Sequence, residues 1–270
     1  MKVDQKRRKA ALEKIGDLMD DARNVLLIHY SCESFYNRTD GTSPKITSIA
    51  VRKLYDGQTR SFSIHKEAEL NHVKLEEMEE KYIQLEQSML CKFYEFVKQN
   101  DGKTFVHWNM RDENYGFGAI ELRFQILEGT PVFINDDKKV DLARLLVDIY
   151  GVGYIGHPRL QKLITLNSIT DIDFLSGKEE AEAFDNKNYI ALHRSTCRKV
   201  DVFANIIERV QNKSLKTNTS YWEQNGGKFI SIFKFFHTNS IIGGIIAISA
   251  FISAIIYGIN FIYKFCIGFE

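Results

Sequence analysis

A run near the end of this 270-residue chain constrains it most. From Thr238 to Tyr263, 26 residues pass without an Asp, Glu, Lys, Arg or His, and most are Ile, Ala, Phe or Gly. A helix needs about 20 apolar residues to cross roughly 30 Å of hydrocarbon, so the run predicts one transmembrane helix over 238–263 with a short tail, 264–270. A buried core helix is the bland alternative, but core helices seldom run this far without a charge. Lys228, Lys234 and further basic residues lie on the N-terminal side, against Lys264 and Glu270 beyond. The positive-inside bias then puts the larger N-terminal part in the cytoplasm, in a single-pass topology.

Two patterns inside the run go beyond anchoring. Gly243, Ala247, Ala250, Ala254 and Gly258 form a stripe of small residues, which lets helices approach closely in lipid. Asn239, Ser253 and Asn260 fall at multiples of seven, with Ser249 on the same side. A side-chain amide such as that of Asn260 is costly in hydrocarbon unless it finds a partner. The expectation is a self-associating helix, with a tetramer as the working guess and a monomeric anchor as the alternative. A single helix encloses no pore, so a channel would have to be an oligomer. Before the run, Lys228 to His237 mixes aromatics with two lysines and suits an interfacial helix.

The rest reads as one α/β domain. Residues 1–23 hold an amphipathic helix with Ala11, Leu12, Ile15 and Leu18 at helical spacing. Strands are expected at Val25 to His29, Ile46 to Leu54 and Thr59 to Ile64, the last two joined through Asp56-Gly57 as an antiparallel hairpin. A long helical stretch over 67–99 follows, with Met78, Tyr82, Leu85, Met89, Phe93 and Phe96 on its apolar face. A strand at Thr104 to His107 leads into Trp-Asn-Met-Arg-Asp and a helix through Leu127. Helices are then expected near 139–150, 158–167 and 188–212. The polar, Gly-ended stretch 213–227 reads as a linker, so that linker and interfacial helix together cover 213–237. Net charge is +1, which leaves electrostatic binding to local patches. Cys32, Cys91, Cys197 and Cys266 are scattered without paired spacing, which suits a reducing compartment.

Three short motifs give the domain a resemblance. They are His-Tyr-Ser-Cys-Glu-Ser around residue 31, Val-His-Trp-Asn-Met-Arg-Asp ending at residue 112, and Ala-Leu-His-Arg-Ser-Thr-Cys-Arg-Lys from residue 191. With the order of elements, they make residues 24–212 resemble the DEDD-type 3′–5′ exonucleases of the RNase H-like fold. The resemblance implies a mixed sheet flanked by helices. It also implies four acids that hold two metal ions against a phosphodiester. Glu33, Asn109, Asp112 and His193 fall in register with the family pattern. Ser31 stands where the first acid belongs, and Cys197 or Arg198 where the last does. Two lost carboxylates leave too little charge for two hard cations, so no cofactor is expected and no residue is assigned to catalysis; Glu33 and Asp112 are remnants. Mg²⁺ or Mn²⁺ would matter only if the domain is an active exonuclease after all, with Asp185 or Asp201 rescuing the site.

The ligand-binding set implied by the resemblance is Ser31, Glu33, Asn109, Asp112, His193, Arg194, Arg198 and Lys199. Each has a plainer reading. Glu33 can cap a backbone or pair with Arg52, and Asp112 can cap the following helix. His193 can be a satisfied core histidine, and Arg194, Arg198 and Lys199 an ordinary solvated face. Such a degenerate domain on a membrane helix looks like an effector of bacterial antiphage defence in the inner membrane. There, a single-stranded DNA or RNA oligomer, made by a separate enzyme, would gate an oligomeric channel. The alternatives are an active membrane-tethered exonuclease and a non-catalytic protein-interaction scaffold.

Overall fold

The computed structural model describes residues 3–34, 43–111, 115–224, 249, 252–253 and 255–257. Helix α1, Gln5–Asp20, is capped by the Asp4 carboxylate, which accepts from the Lys6 and Arg7 amides. Strands β1, Val25–Cys32, β2, Ile46–Lys53, and β3, Thr59–Ser63, follow, then helices α2, Ile64–Leu70, and α3, Tyr82–Gln99. Strand β4, Thr104–His107, and helix α4, Phe117–Ile126, precede a short strand β5, Lys139–Asp141. The remaining helices are α5, Leu142–Tyr150, α6, Arg159–Leu166, α7, Gly177–Asp185, α8, Tyr189–Gln211, and α9, Tyr221–Gln224.

The strands form one five-stranded mixed sheet in the order β3-β2-β1-β4-β5. β1 pairs antiparallel with β2, and β2 with β3, while β4 is parallel to both β1 and β5. β1 is buried on both faces, so its apolar run is nearly continuous. Its alternation still sorts the core in two. Val25 and Leu27 pack with α1, α5, α6 and the C-terminal half of α8. Leu26, Ile28 and Tyr30 pack with α2, α3 and α4.

Four sequence expectations change here. The stretch 67–99 is broken, because residues 71–81 turn between α2 and α3, with His72 in left-handed backbone. The apolar face from Met78 to Phe96 is nonetheless buried throughout. The helix expected from residue 139 starts only at Leu142. Val140 extends the sheet beside Val106, and the Asp141 carboxylate caps α5 through the Ala143 and Arg144 amides. Arg52 pairs with Asp201 at 3.5 Å rather than with Glu33. Residues 213–224 are fastened down rather than slack. The Asn218 amide donates to the Tyr154 carbonyl, Lys216 and Asn167 exchange two hydrogen bonds, and the Gln5 side chain donates to the Gln224 carbonyl.

No helix among the described residues is long and apolar enough to cross a membrane. Most of 238–263 lies outside the described residues, as do Lys228 to His237 and Gly243, Ala247 and Asn260. Ser249 and Ser253 are described as helical, and the Ser253 hydroxyl donates to the Ser249 carbonyl at 2.8 Å.

Candidate functional site

The alternation of β1 builds the site. His29 and Ser31 share the face that looks toward α8: the His29 ring meets Phe203 edge-on at 5.8 Å, and Ser31 Oγ lies 2.8 Å from Thr196 Oγ1. Beyond the strand end, Glu33 accepts from the Lys45 amide and donates its own amide to the Lys45 carbonyl. Here, at the carboxyl ends of β1 and β4, opens a cavity of about 590 Å³. His29, Ser31 and Glu33 line its β1 side, Trp108 and Asn109 its β4 side, and Tyr115 one rim. The segment from Phe174 to Lys178, with Glu180 and Ala181, forms the opposite wall, and Lys199 reaches in from α8. A volume of this size is typical of small-molecule and cofactor sites.

The centre of the wall is one carboxylate. Glu180 Oε1 lies 2.6 Å from Lys199 Nζ and accepts from Ser31 Oγ and Ser195 Oγ, each at 3.0 Å. Both ends of the ion pair are largely buried, with side-chain exposures of 7% for Lys199 and 16% for Glu180. Removing one partner of such a pair costs about 3–5 kcal/mol, because the other charge stays behind unmatched. The site therefore requires one negative group beside Lys199.

The hydroxyls around this carboxylate have fewer protons than contacts. Ser31, Ser48 and Thr196 bring one hydroxyl proton each. The contacts they make are Ser31 to Glu180, Ser31 to Thr196, Ser48 to Thr196 at 2.7 Å, and Thr196 to the Leu192 carbonyl at 2.8 Å. Three protons cannot fill four contacts at once. Ser31 can thus turn its proton to Glu180 or to Thr196 and remain satisfied either way.

His29 is the second unusual group. It is 5% exposed, and burial, with the Lys199 ammonium adding to it, holds its pKa well below the ordinary histidine range, so the ring is neutral. The Tyr115 hydroxyl lies 3.5 Å from Nδ1 and 3.2 Å from the Tyr30 carbonyl, while the Tyr115 ring stacks on Tyr30 at 4.7 Å. Among the described residues, His29 Nε2 has no hydrogen-bond partner. Sequence reading passed over His29 and Glu180. His29 was findable, standing one strand period before Ser31. Glu180 was not, since only the fold of α7 brings it there.

The predicted ligand set separates. Ser31, Glu33, Asn109 and Lys199 line the cavity. Asn109 holds a left-handed backbone with φ 56°, and its amide donates to Asp141, whose other oxygen pairs with Arg111. His193, Arg194 and Arg198 do not line it. At 100° per residue, position 196 of α8 faces β1 and β2 and 195 and 199 face Glu180, whereas 193 and 197 turn toward β3 and 194 and 198 toward the surface. The His193 ring nitrogen sits 2.8 Å from Ser61 Oγ, beside His65, and burial pushes its pKa down to about 4. Arg194 lies 4.0 Å from Asp173, and Arg198 donates to the Ile172 carbonyl and pairs with Asp201. Asp112 lies outside the described residues.

These side chains do not fit the two metal ions that the family resemblance implies. Among the described residues, the acids that line the cavity are Glu33 and Glu180, and Glu180 is matched by the Lys199 ammonium. Hard dications need several oxygen ligands, and a fixed ammonium beside the carboxylate opposes them electrostatically. Asp185 does not line the cavity, and Asp201 is engaged by Arg52 and Arg198. Among the described residues, no three His, Cys, Asp or Glu side chains converge to hold a metal ion. What the arrangement offers is one buried cation, a bare imidazole nitrogen and an aromatic rim. No protein-family model matches the chain, and no curated protein or solved structure does.

Proposed function

We propose that the domain over 24–212 is an exonuclease-like module of the RNase H-like type that binds the end of a short single-stranded DNA or RNA and leaves it uncut. The ion pair between Lys199 and Glu180 carries this reading. A lysine stands where a hydrolase would gather carboxylates for metal, so the cavity supplies charge for a phosphodiester without activating a water. The element order supports the resemblance: three antiparallel strands, two helices, and a fourth strand laid beside the first. Tyr115 and Trp108 give apolar ring surface for a base.

The apolar segment 238–263 makes the chain a single-pass membrane protein, and the stripe of small residues makes it an oligomer. Ligand binding then gates the assembly, which acts as a channel-forming effector in bacterial antiphage defence. Gating requires that the ligand bind the open and closed states with different affinity.

The test mixes the full chain in detergent with a 5′-labelled single-stranded oligonucleotide and Mg²⁺ or Mn²⁺, with duplicates on native and denaturing gels. A shifted, intact strand is expected, weakened by Lys199→Met and by added salt. A ladder of shortened products would make the protein an exonuclease. Absence of both a shift and a ladder would leave a protein-interaction scaffold.

A further inference from the structure

Helix α7 is held in an unusual way. None of its residues is fully buried, and only Ala183 and Phe184, near its C-terminal end, rest partly on the core. That end is also fixed by Lys187, which pairs with Glu79 at 3.1 Å. The N-terminal part, which walls the cavity, reaches the body through the Glu180 carboxylate. The segment leading into it does so through the Leu175 amide, which donates to Ser195 Oγ at 3.1 Å, and through Phe174, which rests partly buried on the core with Lys199 over its ring. Asp173 and Lys187, on either side of α7, both take left-handed backbone, with φ 65° and 57°.

We infer that Glu180 is an internal stand-in for a ligand phosphodiester, and that exchange of one anion for the other at Lys199 releases the N-terminal part of α7 from the cavity. The inference rests on the reading of the cavity as a nucleic-acid site and extends it to how that site opens. The exchange conserves charge, since a carboxylate and a phosphodiester each bring one negative charge, so the Lys199 ammonium is matched before and after. It leaves the Ser31 and Thr196 hydroxyls satisfied as well, and the Ser195 hydroxyl, which also donates to Glu180, passes its proton to the incoming phosphodiester oxygen. When Glu180 departs, Ser31 turns its proton to Thr196, and Thr196 keeps its own bond to the Leu192 carbonyl. The interior thus stays balanced with the helix closed or released, whereas removal of Glu180 with no replacement anion leaves Lys199 unmatched.

Hydrogen exchange followed by mass spectrometry on the full chain in detergent tests this, with peptides from 173–187 as the readout and peptides from α3 as the folding control. In the wild type, α7 amides are expected to be protected, and a single-stranded oligonucleotide should accelerate their exchange without affecting α3. Glu180→Gln, which keeps the shape but loses the charge, should release α7 with no ligand present and bind the oligonucleotide about tenfold tighter, because the closed state no longer competes. Lys199→Met should release α7 and lose the binding. Persistent α7 protection in Glu180→Gln, or slower α7 exchange on adding oligonucleotide, would overturn the inference. If the oligonucleotide does not bind, inorganic phosphate at millimolar concentration decides. Phosphate that releases wild-type α7 keeps the anion exchange and discards the nucleic-acid reading; phosphate that does not discards both.

Discussion

His107, the last residue of β4, is 3% exposed, and its Nδ1 accepts from the Met110 amide at 3.1 Å. Burial pushes its pKa down to about 4, with Arg111 and Lys139 adding to the effect and Asp141 opposing it. The unfolded chain takes up a proton near the ordinary pH of about 6.5, well before the folded chain does. The stabilisation from neutral His107 is therefore complete above that pH and is lost as pH falls from there toward 4. The slope approaches 1.4 kcal/mol per pH unit for one proton. His107→Asn keeps an acceptor for Met110 and cannot titrate. Denaturant unfolding at pH 7 and pH 5 should show a shallower loss in this variant than in the wild type. An unchanged slope would mean that another group carries the acid sensitivity. His29 and His193 carry depressed pKa values from the same cause, so the variant removes one step of several.

Helices α3 and α4 are joined by a buried fork in which Arg123 Nε and Nη2 donate to Glu86 Oε1 and Oε2 at 2.9 and 2.5 Å. Glu86 Oε1 also accepts from the Ile46 amide at 2.6 Å, which ties both helices to the start of β2. Burial raises the Glu86 pKa against the lowering effect of Arg123 and Ile46. Arg123→Met strands a carboxylate inside and should cost about 3–5 kcal/mol in urea unfolding. Adding Glu86→Gln should recover most of that, because the amide oxygen still accepts from Ile46 and no charge is left; a double variant as unstable as the single one would contradict this account. Elements of this length were legible in the sequence, β1 and β2 as runs of apolar and β-branched residues ended by polar stretches, α3 and α8 by a period of 3.6 residues. β5 was not, since three residues are too few to display a period. α7 was missed as well: its capping box at Ser176 and Glu179 is a local signal, but the helix lacks the fully buried stripe that draws attention. The site was half legible. Ser31 and Glu33 stand in a short local motif that carries the family resemblance, while picking Lys199 over His193 on α8 needs the helix's rotation about its axis, which only tertiary packing sets.

For the molecule as a whole, the reading of 238–263 as a membrane helix predicts that the full chain floats with liposomes in a density gradient. Ile246→Arg with Ile255→Arg should leave it at the bottom, since each arginine at the centre of a span costs about 2.5–3.5 kcal/mol. Flotation that survives both substitutions would require another lipid contact. The domain itself is threaded by α8, whose 23 residues make a rod of about 35 Å. Lys199 on this rod lines the cavity, with Thr196 buried behind it against Ser31, and at its far end Val210 lies in the core. The chain after α8 does not wander off: Leu215 is buried, Asn218 and Thr219 are bonded to the Tyr150–Tyr154 turn, and Gln224 is held by Gln5. A loose tether absorbs displacement the way a slack rope absorbs a pull. Residues 213–224 have no such slack, so the point where the chain leaves the domain moves as part of the same body as the rod, and a load applied at that point is borne by the packing around α8.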